Sequence, residues 1–159
     1  MHVEAIVERI SVSAFAVPTD RPESDGTLAW NRTVLVVVEA SSSDVTALGY
    51  TYADEATALL ANETLAKIVV GKNAMAVERN YDGMVAAVRN LGRDGIAAMA
   101  ISAVDAALWD LKARLLGVSI LSLLGAARDR VPIYGSGGFT SYDSKELAGQ
   151  LAGWVKKGI

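Results

Sequence analysis

The last 29 residues place the tightest constraint on how this chain can fold. Val131-Pro132-Ile133-Tyr134 reads as a short strand, and Gly135-Ser136-Gly137-Gly138 as a glycine-rich turn at its end. Ser144 to Lys157 has the spacing of an amphipathic helix, Gly158 would stop it, and Ile159 would open the next strand. A crossover helix exists to bring a second parallel strand beside the first. The pattern predicts a βα half-unit, the start of a larger α/β structure, with much of the chemistry past Ile159.

Upstream, the periodicity changes. Val3 to Val17 alternates around Ile10-Ser11-Val12-Ser13, as a half-buried strand does. Thr33 to Ala40 holds the run Val34-Leu35-Val36-Val37-Val38, which suits a central strand. Val45 to Ala53 is a third strand, joined to the second by the turn-forming Ser41-Ser42-Ser43-Asp44. Pro18 to Asn31 is rich in Pro, Asp, Gly and Ser and predicts a long loop with Trp30 near its end, and long ordered loops are often functional.

Helices follow. Asp54 predicts the cap of a helix with Ala61, Leu65, Ile68 and Val69 on one face, and Asn73 the cap of a second with Val77, Tyr81, Met84 and Val88. The third helix carries Ile101, Val104, Leu108, Leu111 and Leu115 at steps of three and four, with an Asp110–Arg114 pair at i, i+4 and Gly117 beyond. Ser119 to Leu124 adds one short helical segment. Strands, then helices, then a βα start predict an α+β domain over 1–125, leading into a barrel-type α/β domain from 126 to 159.

Composition excludes several functions. Net charge is −3, which gives no electrostatic case for nucleic acid. With no cysteine, a disulfide framework and a thiolate metal site are both absent, as fits a reducing cytoplasm. Mean hydropathy is +0.29, but uncharged runs such as Gly95 to Val104, and the longest of them, Leu115 to Ala127, fall far short of the roughly 20 residues a membrane span needs. Glu4, Glu8 and Arg9 break any signal-peptide pattern.

Few side chains suggest catalysis. The only histidine is His2, at the chain end. Asp105 and Asp110 flank Trp109 but point roughly 140° apart around the helix, so each is expected to cap or to pair with a cation. Gly135-Ser136-Gly137-Gly138 lacks the Lys-Ser/Thr of a P-loop and the spacing of a nucleophile elbow. Its glycines have two readings: tight backbone geometry at a strand end, or the lining of a pocket. Tyr50 and Tyr52 read first as packing residues.

Gly95 to Arg114, with its Ser102-Ala103-Val104-Asp105-Ala106-Ala107-Leu108-Trp109-Asp110-Leu111-Lys112 core, continues through Leu123-Leu124-Gly125 to Val131–Gly138. With Leu48-Gly49-Tyr50-Thr51-Tyr52 upstream, this resembles the enolase superfamily in its mandelate racemase and muconate-lactonizing branch. The resemblance implies an α+β capping domain with a three-stranded antiparallel meander, followed by the first βα unit of a truncated TIM-like barrel. It implies a racemase or acid-sugar dehydratase that abstracts a proton α to a carboxylate, with Mg²⁺ in the full-length parent meeting the developing charge.

The family's Lys-x-Lys motif and its acidic metal ligands have no counterpart here, so the resemblance implies no catalytic residue, no bound metal and no activity in this chain alone. Its implied contribution is specificity, through Trp30 in the Pro18–Trp30 loop, Tyr50 and Tyr52 in a Gly49–Ala53 loop, and Ser136 and Gly137 at the first barrel strand. The expected partners are a small carboxylate or acid-sugar substrate and further copies of the chain. The competing expectation is a noncatalytic oligomerisation or regulatory module.

Overall fold

The structure is a computed structural model and describes residues 5–159. His2 and the start of the first expected strand lie outside the described residues. Three strands form one sheet in the order β1-β2-β3: β1 Arg9–Ser24, β2 Ala29–Ser42 and β3 Val45–Ala53. The β2–β3 pair is antiparallel, in register from Val34↔Ala53 to Ser42↔Val45, and turns through Ser43 and Asp44. Helical elements follow: α1 Glu55–Leu60, a π-helical turn Ala61–Leu65, α2 Ala66–Val69, α3 Val77–Ala87, α4 Ile96–Leu115, α5 Ile120–Leu124 and α6 Ser144–Lys156.

Residues divide into two compact units. One takes in Val34–Gly125 and the described part of Met1–Ala16, and the other takes in Val17–Thr33 and Ala126–Ile159. In the first, the inner sheet face, Val36, Val38 and Ala40 of β2 with Ala47 of β3, is buried together with Leu65, Val69, Met84, Val104, Leu108 and Leu111. Helix α4 packs on β3. That contact is close because Gly49 has no side chain: a Cβ there would lie 2.1 Å from the Ala103 carbonyl oxygen and 2.5 Å from the Ala107 nitrogen. Small residues facing each other let the helix backbone approach the strand.

Several local expectations hold. Asp54 caps α1 by accepting from the Thr57 amide at 3.1 Å, and the short helical segment expected over Ser119 to Leu124 forms as α5, with Ser119 accepting from the Ser122 amide at 3.0 Å. Asp110 accepts from Arg114 Nε at 2.8 Å.

Others are corrected. The Pro18–Asn31 loop is a continuation of β1 and β2 that leaves only Asp25–Leu28 as a turn. Pro18 and Pro22 suggested a loop because they cannot donate to a ladder, but β1 is an edge strand, where an outward-facing position needs no donor. Asn73 does not cap α3, which starts at Val77 without a side-chain cap; its Oδ1 accepts from the Met75 amide at 2.8 Å within the preceding turn. Val131–Tyr134 belongs to no strand, since no described segment supplies the ladder partner that a strand requires. The helix that follows it does form, as α6.

Candidate functional site

The five residues expected to face a substrate fall into the two units. Trp30, Ser136 and Gly137 lie in the second unit, and Tyr50 and Tyr52 in the first.

In the second unit, the far ends of β1 and β2 form a hairpin arm closed by Asp25. Its Oδ1 accepts from the amides of Leu28 and Thr27, both at 2.9 Å, and from the Thr27 hydroxyl at 2.7 Å. These bonds favour the carboxylate and hold its pKa down at about 2, with the Leu28 amide the largest cause and the Thr27 hydroxyl next. Trp30, on β2, is half-buried. Its Nε1–H donates to Glu23 Oε2 at 2.8 Å, and its ring meets Phe139 edge-to-face at 5.5 Å. Phe139 meets Tyr142 in the same geometry at 5.5 Å. The Arg21 guanidinium lies 5.3 Å over the Tyr142 ring and pairs with Glu146. The Thr140 amide donates to the Ser24 carbonyl at 2.8 Å.

The glycine-rich turn acquires a physical reason. A Cβ on Gly135 would come within 2.3 Å of the Trp154 ring, and one on Gly137 within 2.4 Å of Gln150 Oε1 and 2.6 Å of the Trp154 ring. Gln150 Oε1 in turn accepts from the Gly138 amide at 3.1 Å. The glycines are there so that α6 can lay its indole and amide directly on the backbone. Ser136, between Gly135 and Gly137, is exposed.

In the first unit, Tyr50 and Tyr52 are on β3, paired across the sheet with Val37 and Leu35. The expected Gly49–Ala53 loop is therefore strand. Ala47 and Gly49 turn inward, leaving Leu48, Tyr50 and Tyr52 exposed on the other face, the two tyrosines at 65% and 67%. Next to Tyr50 is a concavity of about 710 Å³ lined by Leu48, Gly49, Asp105, Trp109 and Leu124.

Asp110 closes one side of the strand–helix contact by accepting from the Leu48 amide at 2.9 Å. Asp105, by contrast, neither caps nor pairs among the described residues, contrary to expectation. Partial burial raises its carboxyl above the ordinary value, and Glu78 adds in the same direction. The Lys112 ammonium sits 4.8 Å over the Trp109 ring. Among the described residues, no group of three or more His, Asp or Glu side chains is placed to hold a metal ion.

Residues 9–125 match the sequence profile of the mandelate racemase / muconate lactonizing enzyme N-terminal domain. The chain belongs to that family. Its fold matches the crystal structure of a mandelate racemase/muconate lactonizing enzyme-like protein from Rubrobacter xylanophilus with a TM-score of 0.92 and 50% identity, over 97% of this chain and 43% of that one. The L-talarate/galactarate dehydratase of Salmonella typhimurium is 31% identical over 84% of this chain and 36% of its own length. The structure of that enzyme liganded with Mg and L-lyxarohydroxamate superposes with a TM-score of 0.83 over 99% of this chain and 43% of its own. The L-rhamnonate dehydratase of Saccharopolyspora erythraea is 37% identical over 67% of this chain and 27% of its own length. The chain thus spans about a third of the curated relatives it matches.

Phe139, which meets the Trp30 ring, and Tyr142, Arg21 and Glu146, which follow it in the same series of contacts, were not among the residues expected from the sequence. The Asp143-x-x-Glu146 spacing is that of a capping box, a local signal not used in reading the sequence, and nothing in the sequence links it to an arginine 125 residues away.

Proposed function

We propose that this chain is the N-terminal part of a Mg²⁺-dependent enolase-superfamily enzyme of the racemase or acid-sugar dehydratase type, which abstracts a proton α to a carboxylate. Residues 1–125 are its capping domain, and 126–159 open a TIM-type barrel. The single observation that carries this reading is the superposition on the Rubrobacter xylanophilus protein, which includes the segment after Gly125 as well as the cap. The acid-sugar substrate class is taken from the two dehydratases.

The described side chains do not fit a Mg²⁺ site. In this reading the metal ligands and the base come from other parts of the parent. An α-proton of a carboxylate is very weakly acidic, so the charge that develops on its removal has to be met by groups already in place. This chain's role is to bind and orient the substrate and to exclude water around it. Trp30 on the hairpin arm and Ser136 beside the glycine turn contact the substrate, Gly137 offers its backbone, and Tyr50 and Tyr52 add exposed aromatic surface.

Trp30→Ala and Tyr52→Ala in the full-length parent test this. Both should leave melting nearly unchanged and shift kcat/KM among acid sugars by one to two powers of ten, about 1.4 kcal/mol each. A buried aromatic would instead cost about 3–5 kcal/mol of stability. Large melting losses with an unchanged substrate preference would remove both residues from the substrate side.

A further inference from the structure

Glu146 does two jobs with its two carboxylate oxygens. Oε2 accepts from the Asp143 amide at 3.1 Å, while Asp143 Oδ1 accepts from the Glu146 amide at 2.8 Å and the Lys145 amide at 2.9 Å. That reciprocal pair is a complete capping box at the start of α6. The other oxygen, Oε1, takes the Arg21 guanidinium from the hairpin arm. The same guanidinium covers the Tyr142 ring, and Tyr142 stacks edge-to-face on Phe139, which meets Trp30. A continuous chain of contacts therefore runs from the cap of α6 to Trp30, within one compact unit.

We propose that Glu146 and Arg21 are positioning residues: the cap of α6 is the seat of the β1–β2 arm, and the Arg21–Glu146 pair sets where the arm holds Trp30.

An exposed ion pair by itself contributes little to stability. This one does not have to hold the fold together. The two strands of the arm pair with each other whatever the arm's direction, so the pair needs only to choose among directions of similar energy. A small bias decides such a choice. The pair is also not isolated, because the guanidinium is shared with an aromatic face and the carboxylate is fixed by its cap. The relevance to substrate choice rests on the proposed function above, but the seating of the arm does not, and it is measured without substrate.

The experiment is residue-resolved amide exchange on the 159-residue chain by NMR. The Thr140 amide, which donates to the Ser24 carbonyl, reports arm seating, and the Asp143 amide, which donates to Glu146 Oε2, reports the half of the cap that Glu146 supplies. Glutamine at this position keeps a capping box but loses the charge that Arg21 meets. Glu146→Gln and Arg21→Ala should therefore each speed exchange at Thr140 by about threefold to tenfold while leaving Asp143 amide protection in place. Glu146→Ala should speed exchange at both sites. Amides of α4 in the same spectra show whether each variant is folded. Unchanged Thr140 exchange in Glu146→Gln and Arg21→Ala, with α4 protected, would overturn the proposal. So would a Glu146→Gln variant that frees the Asp143 amide as fully as Glu146→Ala, because Glu146 would then be a helix cap and nothing more.

Discussion

Val34–Gly125, with the described part of Met1–Ala16, contains every buried residue of the chain among those described, whereas Val17–Thr33 and Ala126–Ile159 bury none. The first unit is held by apolar burial: Leu65, Met84, Leu108 and Leu111 are fully enclosed. The second is held by side-chain polarity and aromatic edges: a capping box, the Arg21–Glu146 pair and the Trp30–Phe139–Tyr142 series. Its apolar side chains are largely uncovered, with Val131 at 70% and Val155 at 72% exposure. Dispersion and hydrophobic burial add up over many contacts and tolerate little change. Exposed polar contacts are individually small and exchange readily with water. One unit therefore stores the stability, and the other is free to differ in conformation at little cost.

That contrast is easiest to break by truncating one leucine in each unit. Leu108→Ala, in the fully buried set, should cost about 2–5 kcal/mol by urea unfolding. Leu151→Ala, on the exposed side of α6, should change the same transition by about 0.5 kcal/mol or less. Comparable losses would mean that the two units share one core.

Next in size is Gly49→Ala. The added methyl would meet the Ala103 and Ala107 backbone, which cannot rotate away, so about 1–3 kcal/mol should be lost as α4 is pushed from β3. A neutral melting temperature would mean that the strand–helix contact is looser than the packing implies.

The core was largely legible in the sequence, and the arm was not. Val36 and Val38 in the β-branched run, and Ile101, Val104, Leu108 and Leu111 at helical spacing, signal burial through periods of two and 3.6, and these are the residues found buried. The arm gives no such signal. Pro18, Pro22, Asp20 and Ser24 lie in a strand that is solvated along this stretch, so neither alternation nor β-branching marks it, and composition alone spelled loop. Trp30's setting escaped for another reason: Phe139, which meets its ring, and Tyr142 and Glu146 further along the same series lie more than 100 positions away, and no local pattern encodes such a pairing. The glycine-rich turn allows two readings from sequence, and only the positions of Trp154 and Gln150 explain why Gly135 and Gly137 are small.

The smallest effect belongs to the turn of the arm. The folded pKa of Asp25 is depressed to about 2 from an ordinary 3.8, so its contribution to the turn is full above about pH 4 and is lost as pH falls through about 2. The Thr27 and Leu28 amide shifts should follow that titration while the amides of α4 stay fixed. A midpoint at the ordinary aspartate value would show that the carboxylate is not held by those donors.

In the proposed function, this chain carries the substrate-facing cap of an α-proton-abstracting enzyme without its catalytic groups. The most direct measurement is exchange of the α-proton of L-rhamnonate and galactarate into deuterated water with Mg²⁺, for the 159-residue chain and for the full-length parent side by side. The account predicts exchange by the parent and none by the chain above a metal-only control. Exchange by the chain alone, or a parent that exchanges no acid sugar across a panel, would contradict it.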